Sequence, residues 1–269
     1  MRLTFLGVRG STPATGPDFV RYGGNTSCVA VSHTADTPPK LILDAGTGLR
    51  ALSGLLGGAS FDGSILLSHL HWDHVQGIPF FTAGDRAGAR VDVYVPAQDG
   101  RNGRDLVAQF LSPPAFPITP EGLLGDWTFT ALEPGRHAID GFDVTSADAE
   151  HKGGRAYAYR VASGGASVAY LPDHIPNAGV GDSLLALLEG VELLVHDAQF
   201  VESERAWADE YGHSTVLDAV ALAERCDAKR LVLFHHGHAR PDEALDRIAD
   251  GIPTGVPIVV AREGLVLDV

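Results

Sequence analysis

With 269 residues, an apolar fraction of 45% and a formal net charge of −14, the chain can bury a sizeable core and has the wrong sign for a general nucleic-acid binder, whose phosphate contacts need clustered Lys and Arg. Only Cys28 and Cys226 are present, which argues against a disulfide framework and for a reducing cytoplasm. The start, Met1 to Gly7, has no signal-peptide pattern, and no apolar run approaches the roughly 20 residues that span a bilayer, so a cytoplasmic protein without a membrane partner is expected.

Leu3 to Val8, Cys28 to Ser32 and Lys40 to Leu43 read as strands, being short, apolar or β-branched, and bounded by Gly, Pro or Asp. Asp44-Ala45-Gly46-Thr47-Gly48 is a turn, Leu49 to Leu56 a short helix, and Ser64 to Ser68 another strand. Val91 to Val95 predicts a strand and Arg104 to Leu111 a helix, which the Pro-rich segment 112–120 must end. Strands follow at Trp127 to Leu132, Phe142 to Ser146, Ala156 to Val161 and Ser167 to Leu171. The last third alternates: helix Ser183 to Glu189, strand Val191 to Val195, helix Ser214 to Cys226, strand Arg230 to Phe234, helix Pro241 to Ala249, then strands Pro257 to Val260 and Gly264 to Leu267. Runs of strands with interspersed helices suggest two packed sheets with helices outside, and without a repeat or linker a single domain over 1–269 is expected.

The segment Ser68-His69-Leu70-His71-Trp72-Asp73-His74 follows the apolar run Ile65-Leu66-Leu67. Imidazole and carboxylate together suit borderline divalent metals such as Zn²⁺ or Mn²⁺. In extended backbone His69 and His71 point to the same side. Asp73 and His74 then fall at a turn or helix start and can serve a second, adjacent ion. Further ligand-type residues sit at strand ends: His151, Asp173, His196 with Asp197, and His235, His236 and His238. Each alone is an ordinary loop residue. Five such ends together suggest one sheet rim that carries a site.

His69-x-His71-x-Asp73-His74, with the later His151, Asp173 and His235, resembles the ligand set of the metallo-β-lactamase fold superfamily. Three N-terminal motifs narrow the resemblance to its phosphodiesterase branch, which includes ribonuclease Z, phosphoribosyl cyclic phosphate phosphodiesterases and cyclic-nucleotide phosphodiesterases. They are Gly7-Val8-Arg9-Gly10-Ser11-Thr12-Pro13, Tyr22-Gly23-Gly24-Asn25-Thr26-Ser27 and Leu43-Asp44-Ala45-Gly46-Thr47-Gly48. The loops His196-Asp197-Ala198-Gln199 and Gly212-His213-Ser214-Thr215 resemble that branch's paired histidine loops, which true β-lactamases lack.

The resemblance implies an αβ/βα sandwich of two mixed sheets and two divalent metal ions, Zn²⁺ first and Mn²⁺ or Fe²⁺ as alternatives. One ion would take His69, His71 and His151, the other Asp73, His74 and His235, with Asp173 bridging. From spacing alone either His235 or His236 could fill the last position; the family pattern favours His235. Asp44 would orient a metal histidine, a role such sites need, or simply form a turn. His196 and His236 are candidates for similar supporting roles, and His174 is left outside the ligand set. Metals roughly 3.5–4 Å apart would hold a hydroxide for attack on phosphorus. Asp73 would help orient that nucleophile, and His213, oriented by Asp197, would protonate the leaving alkoxide.

The expected function is hydrolysis of a small cyclic phosphodiester, a cyclic nucleotide or a phosphoribosyl cyclic phosphate. The acidic charge and the absence of a basic or Gly-Pro-rich arm argue against tRNA and against nucleic acid as a partner. The alternatives are a ribonuclease Z-like tRNA 3′-processing endonuclease, a non-catalytic metal- or nucleotide-binding protein, and a thioester or lactone hydrolase. Phe80, Phe81 and Phe116 could wall a base, although core or dimer contacts are the commoner use of such residues. A homodimer is expected from the resemblance.

Overall fold

The computed structural model describes residues 1–176, 179–252 and 254–269. Its strands, in chain order, are β1 (Arg2–Gly7), β2 (Cys28–Ser32), β3 (Leu41–Leu43), β4 (Asp62–Leu66), β5 (Arg90–Pro96), β6 (Asp126–Leu132), β7 (Gly135–Ile139), β8 (Phe142–Ala149), β9 (Ala156–Ser163), β10 (Ala166–Leu171), β11 (Leu193–Asp197), β12 (Leu231–Phe234), β13 (Ile258–Val260) and β14 (Val266–Asp268). The helices are α1 (Leu49–Leu55), α2 (Trp72–Val75), α3 (Gly103–Val107), α4 (Asp182–Leu188), α5 (Arg205–Tyr211), α6 (Val216–Arg225) and α7 (Asp242–Gly251).

The strands form two seven-stranded sheets, ordered β14-β1-β2-β3-β4-β5-β6 and β13-β12-β11-β10-β9-β8-β7. Both are mixed: β3 through β6 run parallel in the first and β10 through β13 in the second. Strands β2, β3, β11 and β12 are buried along their whole length, as strands covered on both faces must be. Between the sheets Phe5, Val31 and Leu43 pack with Tyr159, Val195 and Phe234. Outside the first sheet Leu49 and Leu52 of α1 join Ile42 and Ile65. Outside the second, Leu184 and Leu188 of α4 and Val216 and Ala219 of α6 cover Leu194 and Leu231. Each of the Val, Leu, Ile and Phe side chains among them contributes about 1.5–3 kcal/mol when taken from water. The layering is the αβ/βα sandwich that the resemblance implied.

This topology positions the site. β10, β11 and β12 are parallel, so Leu171, Asp197 and Phe234 end at one rim. β8 lies antiparallel to β9, which lies antiparallel to β10, so β8 delivers Ala149 to the same rim. In the other sheet parallel β3 and β4 both end just before Asp44 and Ser68. Tyr157 N–H donates to the Ser68 carbonyl at 2.8 Å and the Tyr159 hydroxyl to that of Leu67 at 2.7 Å, joining the two sheets at this edge.

The differences from the predicted elements are local. The helix expected over Arg104 to Leu111 covers only Gly103–Val107, because the chain must turn before its prolines. Two elements were not anticipated. β7 is an edge strand with only Ile139 buried, and α5 buries only Ala208, so neither carries an apolar periodicity.

Candidate metal centre

After β4 the chain stays extended through His71 (φ −67°, ψ 153°), which precedes α2. The extended stretch sets the His69 and His71 rings side by side, with centroids 4.4 Å apart. The first turn of α2 then aims Asp73 and His74 at the same point, and both are buried. His69 Nε2 and His74 Nε2 lie 3.1 and 2.9 Å from Asp173 Oδ2, and His235 Nε2 lies 3.0 Å from Asp73 Oδ2. His71 Nδ1 and His151 Nε2 are 3.2 Å apart, and His74 Nε2 and His235 Nε2 are 3.3 Å apart.

Among the described residues, four sets could each hold an ion, the ligand atoms of each lying within 4.8 Å of one another. They are His69, His71 and His151; His69, His74 and Asp173; Asp73, His74 and His235; and Asp173, Asp197, His213 and His235. Ligand atoms about 2.0–2.1 Å from a tetrahedral or octahedral ion stand roughly 3–3.4 Å from each other, which is the spacing found. The buried Nε2 of His69, Nδ1 of His235 and Oδ1 of Asp173 have no hydrogen-bond partner, a cost that a bound cation removes. The donor set therefore fits two divalent ions.

The supporting contacts fix which ring nitrogens face inward. Asp44 Oδ2 accepts from His74 Nδ1 at 2.7 Å, from the Ser68 hydroxyl at 2.8 Å and from the Tyr170 hydroxyl at 2.8 Å. Its Oδ1 accepts from Ser68 N–H at 2.6 Å. His151 Nδ1 donates to the Gly212 carbonyl at 2.8 Å. Each of these rings thus carries its proton on the outer nitrogen and turns a lone pair to the centre. Asp44 and His235 both adopt left-handed backbone, at φ 58° and 56°, conformations that cost about 1–3 kcal/mol in non-glycine residues and collect at functional sites. A Cβ on Gly10 would stand 2.5 Å from His235 Nδ1, so that position needs a glycine. Asp44→Ala is expected to weaken metal binding by about 10–100-fold, as read by chelator competition; unchanged affinity would remove this role.

Burial, reinforced by neighbouring imidazoles, pushes His69 well below the usual histidine range, and burial and nearby histidines also lower His71 and His151. Burial opposes charge on His74 too, but Asp73, Asp44 and Asp173 outweigh it and raise that ring well above its ordinary value. Burial likewise disfavours charge on Asp173, yet His235, His74 and His69 hold it well below the carboxylate range. Neutral imidazoles and ionised carboxylates are the forms that bind metal, so a cation here would take the place of the proton that the surrounding carboxylates favour on His74.

His213 stands at the mouth of the centre. Its Nδ1 is 3.0 Å from Asp197 Oδ2, and its ring stacks on that of His235 with centroids 5.2 Å apart. Asp197 is held by the backbone N–H groups of Ser214 and Gln199 at 3.0 Å and of His174 at 3.3 Å. Burial lowers the His213 pKa, but the charge and hydrogen bond of Asp197 more than offset it, and the group is pushed up to about 9. A cavity of about 340 Å³, lined by Ser11, Leu70, His71, Trp72, Asp73, Asp173 and His213, opens this corner to solvent.

Two expected supporting residues lie elsewhere. The His196 ring bonds to the Asp197 carbonyl at 2.7 Å and lies 3.2 Å from His174 Nδ1, a pair set behind the centre. His236 Nε2 donates to the Ala261 carbonyl at 2.9 Å, so of the two adjacent histidines only His235 turns its ring inward. The left-handed backbone at His235, directly after β12, goes with the two rings pointing apart. Other contributors carried no recognisable signal. Ser11 N–H donates to Asp73 Oδ2 at 2.7 Å, and Ser68 and Tyr170 hold Asp44. Ser11 lies within a quoted motif, but a backbone donor cannot be read from residue type. Phe81 is core, whereas exposed Phe80 meets Phe116 edge-on at 5.9 Å beside a cavity of about 460 Å³ that Trp72 also lines.

The chain is similar to known proteins along nearly its whole length. A ribonuclease Z of Natronomonas pharaonis is 26% identical over 299 aligned residues, spanning 93% of this chain and 92% of that protein. A ribonuclease Z of Haloarcula marismortui is 28% identical over 312 residues, spanning 98% and 96%. The metallo-β-lactamase fold protein YhfI of Bacillus subtilis superposes with a TM-score of 0.72 at 22% identity, covering 99% of this chain and 98% of its own. The family described as Beta-lactamase superfamily domain matches residues 40–236, a span that holds every ligand candidate from His69 to His235, and the chain belongs to that superfamily.

Proposed function

We propose that the chain is a metal-dependent phosphodiesterase that hydrolyses a small cyclic phosphodiester, either a cyclic nucleotide or a phosphoribosyl cyclic phosphate. The observation that carries this reading is the His213–Asp197 pair beside the His/Asp cluster, at 3.0 Å from each other, with His213 lining the cavity that Asp73 and Asp173 also line. Pure binding needs no proton donor, which weighs against a sequestering protein.

The metal ligands in this reading are His69, His71 and His151 on one side and Asp73, His74 and His235 on the other, with Asp173 between. Two divalent ions held there would supply Lewis acidity toward phosphoryl oxygens and a water of lowered pKa. The imidazole-rich donors favour Zn²⁺, with Mn²⁺ or Fe²⁺ as alternatives. Asp73, fixed by the Ser11 N–H, orients the attacking water. Asp197 holds the His213 imidazolium through Nδ1, so that Nε2–H faces the leaving oxygen. As the P–O bond to that oxygen breaks, Nε2 gives up its proton and the ring becomes neutral.

The substrate size rests on charge and space. The mouth is about 340 Å³, and among the described residues no Lys or Arg lines it. The alignment with the Haloarcula protein runs over more positions than this chain has residues, so that relative carries segments absent here. A second reading, ribonuclease Z-like processing of precursor tRNA, is favoured by the shared name of both archaeal relatives and stands against the expectation that nucleic acid is no partner. A homodimer and a cytoplasmic location belong to the same proposal; among the described residues no helix is long and apolar enough to cross a membrane.

The test is metal analysis followed by turnover of 3′,5′-cyclic nucleotides, a phosphoribosyl cyclic phosphate, a generic diester and precursor tRNA. Preference for a cyclic diester is expected. Cleavage of precursor tRNA alone would install the second reading, and no diester turnover with two metals bound would remove both.

A further inference from the structure

The mouth of the centre adjoins a second cavity of about 560 Å³, to which Ser11 and His213 are common. Its wall is aromatic. Trp207 and Tyr211 stand one helical turn apart on α5 and are 57% and 58% exposed, an unusual surface for two such large rings. The Phe200 ring lies within 15° of parallel to Tyr211, with centroids 6.5 Å apart, and 6.2 Å from the ring of His213. Aromatic surface therefore runs from the proton donor outward to solvent.

Among the polar groups that line this cavity, two are unsatisfied. Gln199 is 5% exposed and its Oε1 has no hydrogen-bond partner. Arg240 donates through its terminal nitrogen to the Gln199 carbonyl and to Glu204, but its buried Nε has none. Both atoms are buried, so what the cavity offers a ligand is chiefly its aromatic faces. Nucleobases present a π-face that stacks on such rings. A sugar or alkyl group offers no such face.

We propose that this cavity is a nucleobase subsite on the leaving-group side, so that the substrate is a nucleotide diester whose base stacks on Trp207 and Tyr211 while His213 meets its leaving oxygen. The inference rests on the phosphodiesterase reading for the orientation of the substrate, but base binding can be measured without turnover. It narrows the substrate class to nucleotides and sets phosphoribosyl cyclic phosphates without a base aside.

The test is calorimetric titration of the metal-loaded protein with adenosine 5′-monophosphate and with ribose 5-phosphate, which share phosphate and sugar and differ in the base. Adenosine monophosphate is expected to bind more tightly. Trp207→Ala and Tyr211→Ala are each expected to weaken it roughly 5- to 100-fold, and Trp207→Phe to restore most of the loss. Both positions are exposed, so the variants should fold. Equal affinity of the two ligands, or full affinity for the nucleotide in Trp207→Ala/Tyr211→Ala, would overturn the subsite. Base-dependent binding with no turnover of any diester would sustain the subsite and sink the phosphodiesterase reading instead.

Discussion

His213→Ala is expected to retain both metals and lose about 10²–10⁴-fold in kcat, the usual contribution of a positioned acid. The ring lies at the mouth, and its Nδ1 is satisfied by Asp197, whose charge holds the imidazole protonated. Removing it leaves the leaving alkoxide to take a proton from water. The pH profile provides a second readout. The folded pKa lies above the ordinary histidine value, so the acid form prevails at neutral pH and is lost as pH rises through about 9; cations bound next to Asp173 pull that limit lower. Wild-type kcat should therefore fall on the alkaline side, and this limb should vanish in His213→Ala. Elemental analysis of the variant, with its rate on an activated diester whose leaving group needs no proton, separates an acid from a structural part. Normal turnover of a poor-leaving-group diester by the variant would end the assignment.

Removing the metals is expected to abolish turnover and lower the melting temperature on the order of 10 °C, from about 4 kcal/mol of linkage at a thousandfold excess over Kd and roughly 2–4 °C per kcal/mol at this size. The reason lies in the cluster itself. Asp73, His74, Asp173 and His235 are buried at close range, and Asp173 Oδ1 and His235 Nδ1 make no hydrogen bond although they lie 3.1 Å apart. Calorimetry before and after chelation, then with Zn²⁺, Mn²⁺ or Fe²⁺ restored, measures both effects. An unchanged melting temperature would mean that the buried cluster satisfies itself without ions.

The sandwich and the ligand candidates were legible because both depend on local patterns. Apolar runs mark the buried strands, and His and Asp directly after them mark the rim. What was not legible depends on partners distant in the chain. Nothing in Tyr170 announces a hydrogen bond to Asp44, 126 positions away. What distinguishes His235 from His236 is the left-handed backbone at His235 just after β12, which residue type does not reveal. α5 was missed because its large side chains face solvent instead of the core, although two of them now line the cavity next to His213. A helix selected for what it displays outward has no reason to show an inward stripe.

In the proposed metal centre, the split of the rim between two sheets governs when ions could be captured. His69, His71, Asp73 and His74 come from the first sheet, whereas His151, Asp173 and His235 follow β8, β10 and β12 of the second. A growing polypeptide that has released only its first half holds an incomplete set and can grip an ion only weakly. Tight capture must await the last of these strands, after which it locks contacts separated by more than 160 positions. Such late, long-range closure is slow, and metal present during refolding should act chiefly by retarding unfolding, because it holds what forms last.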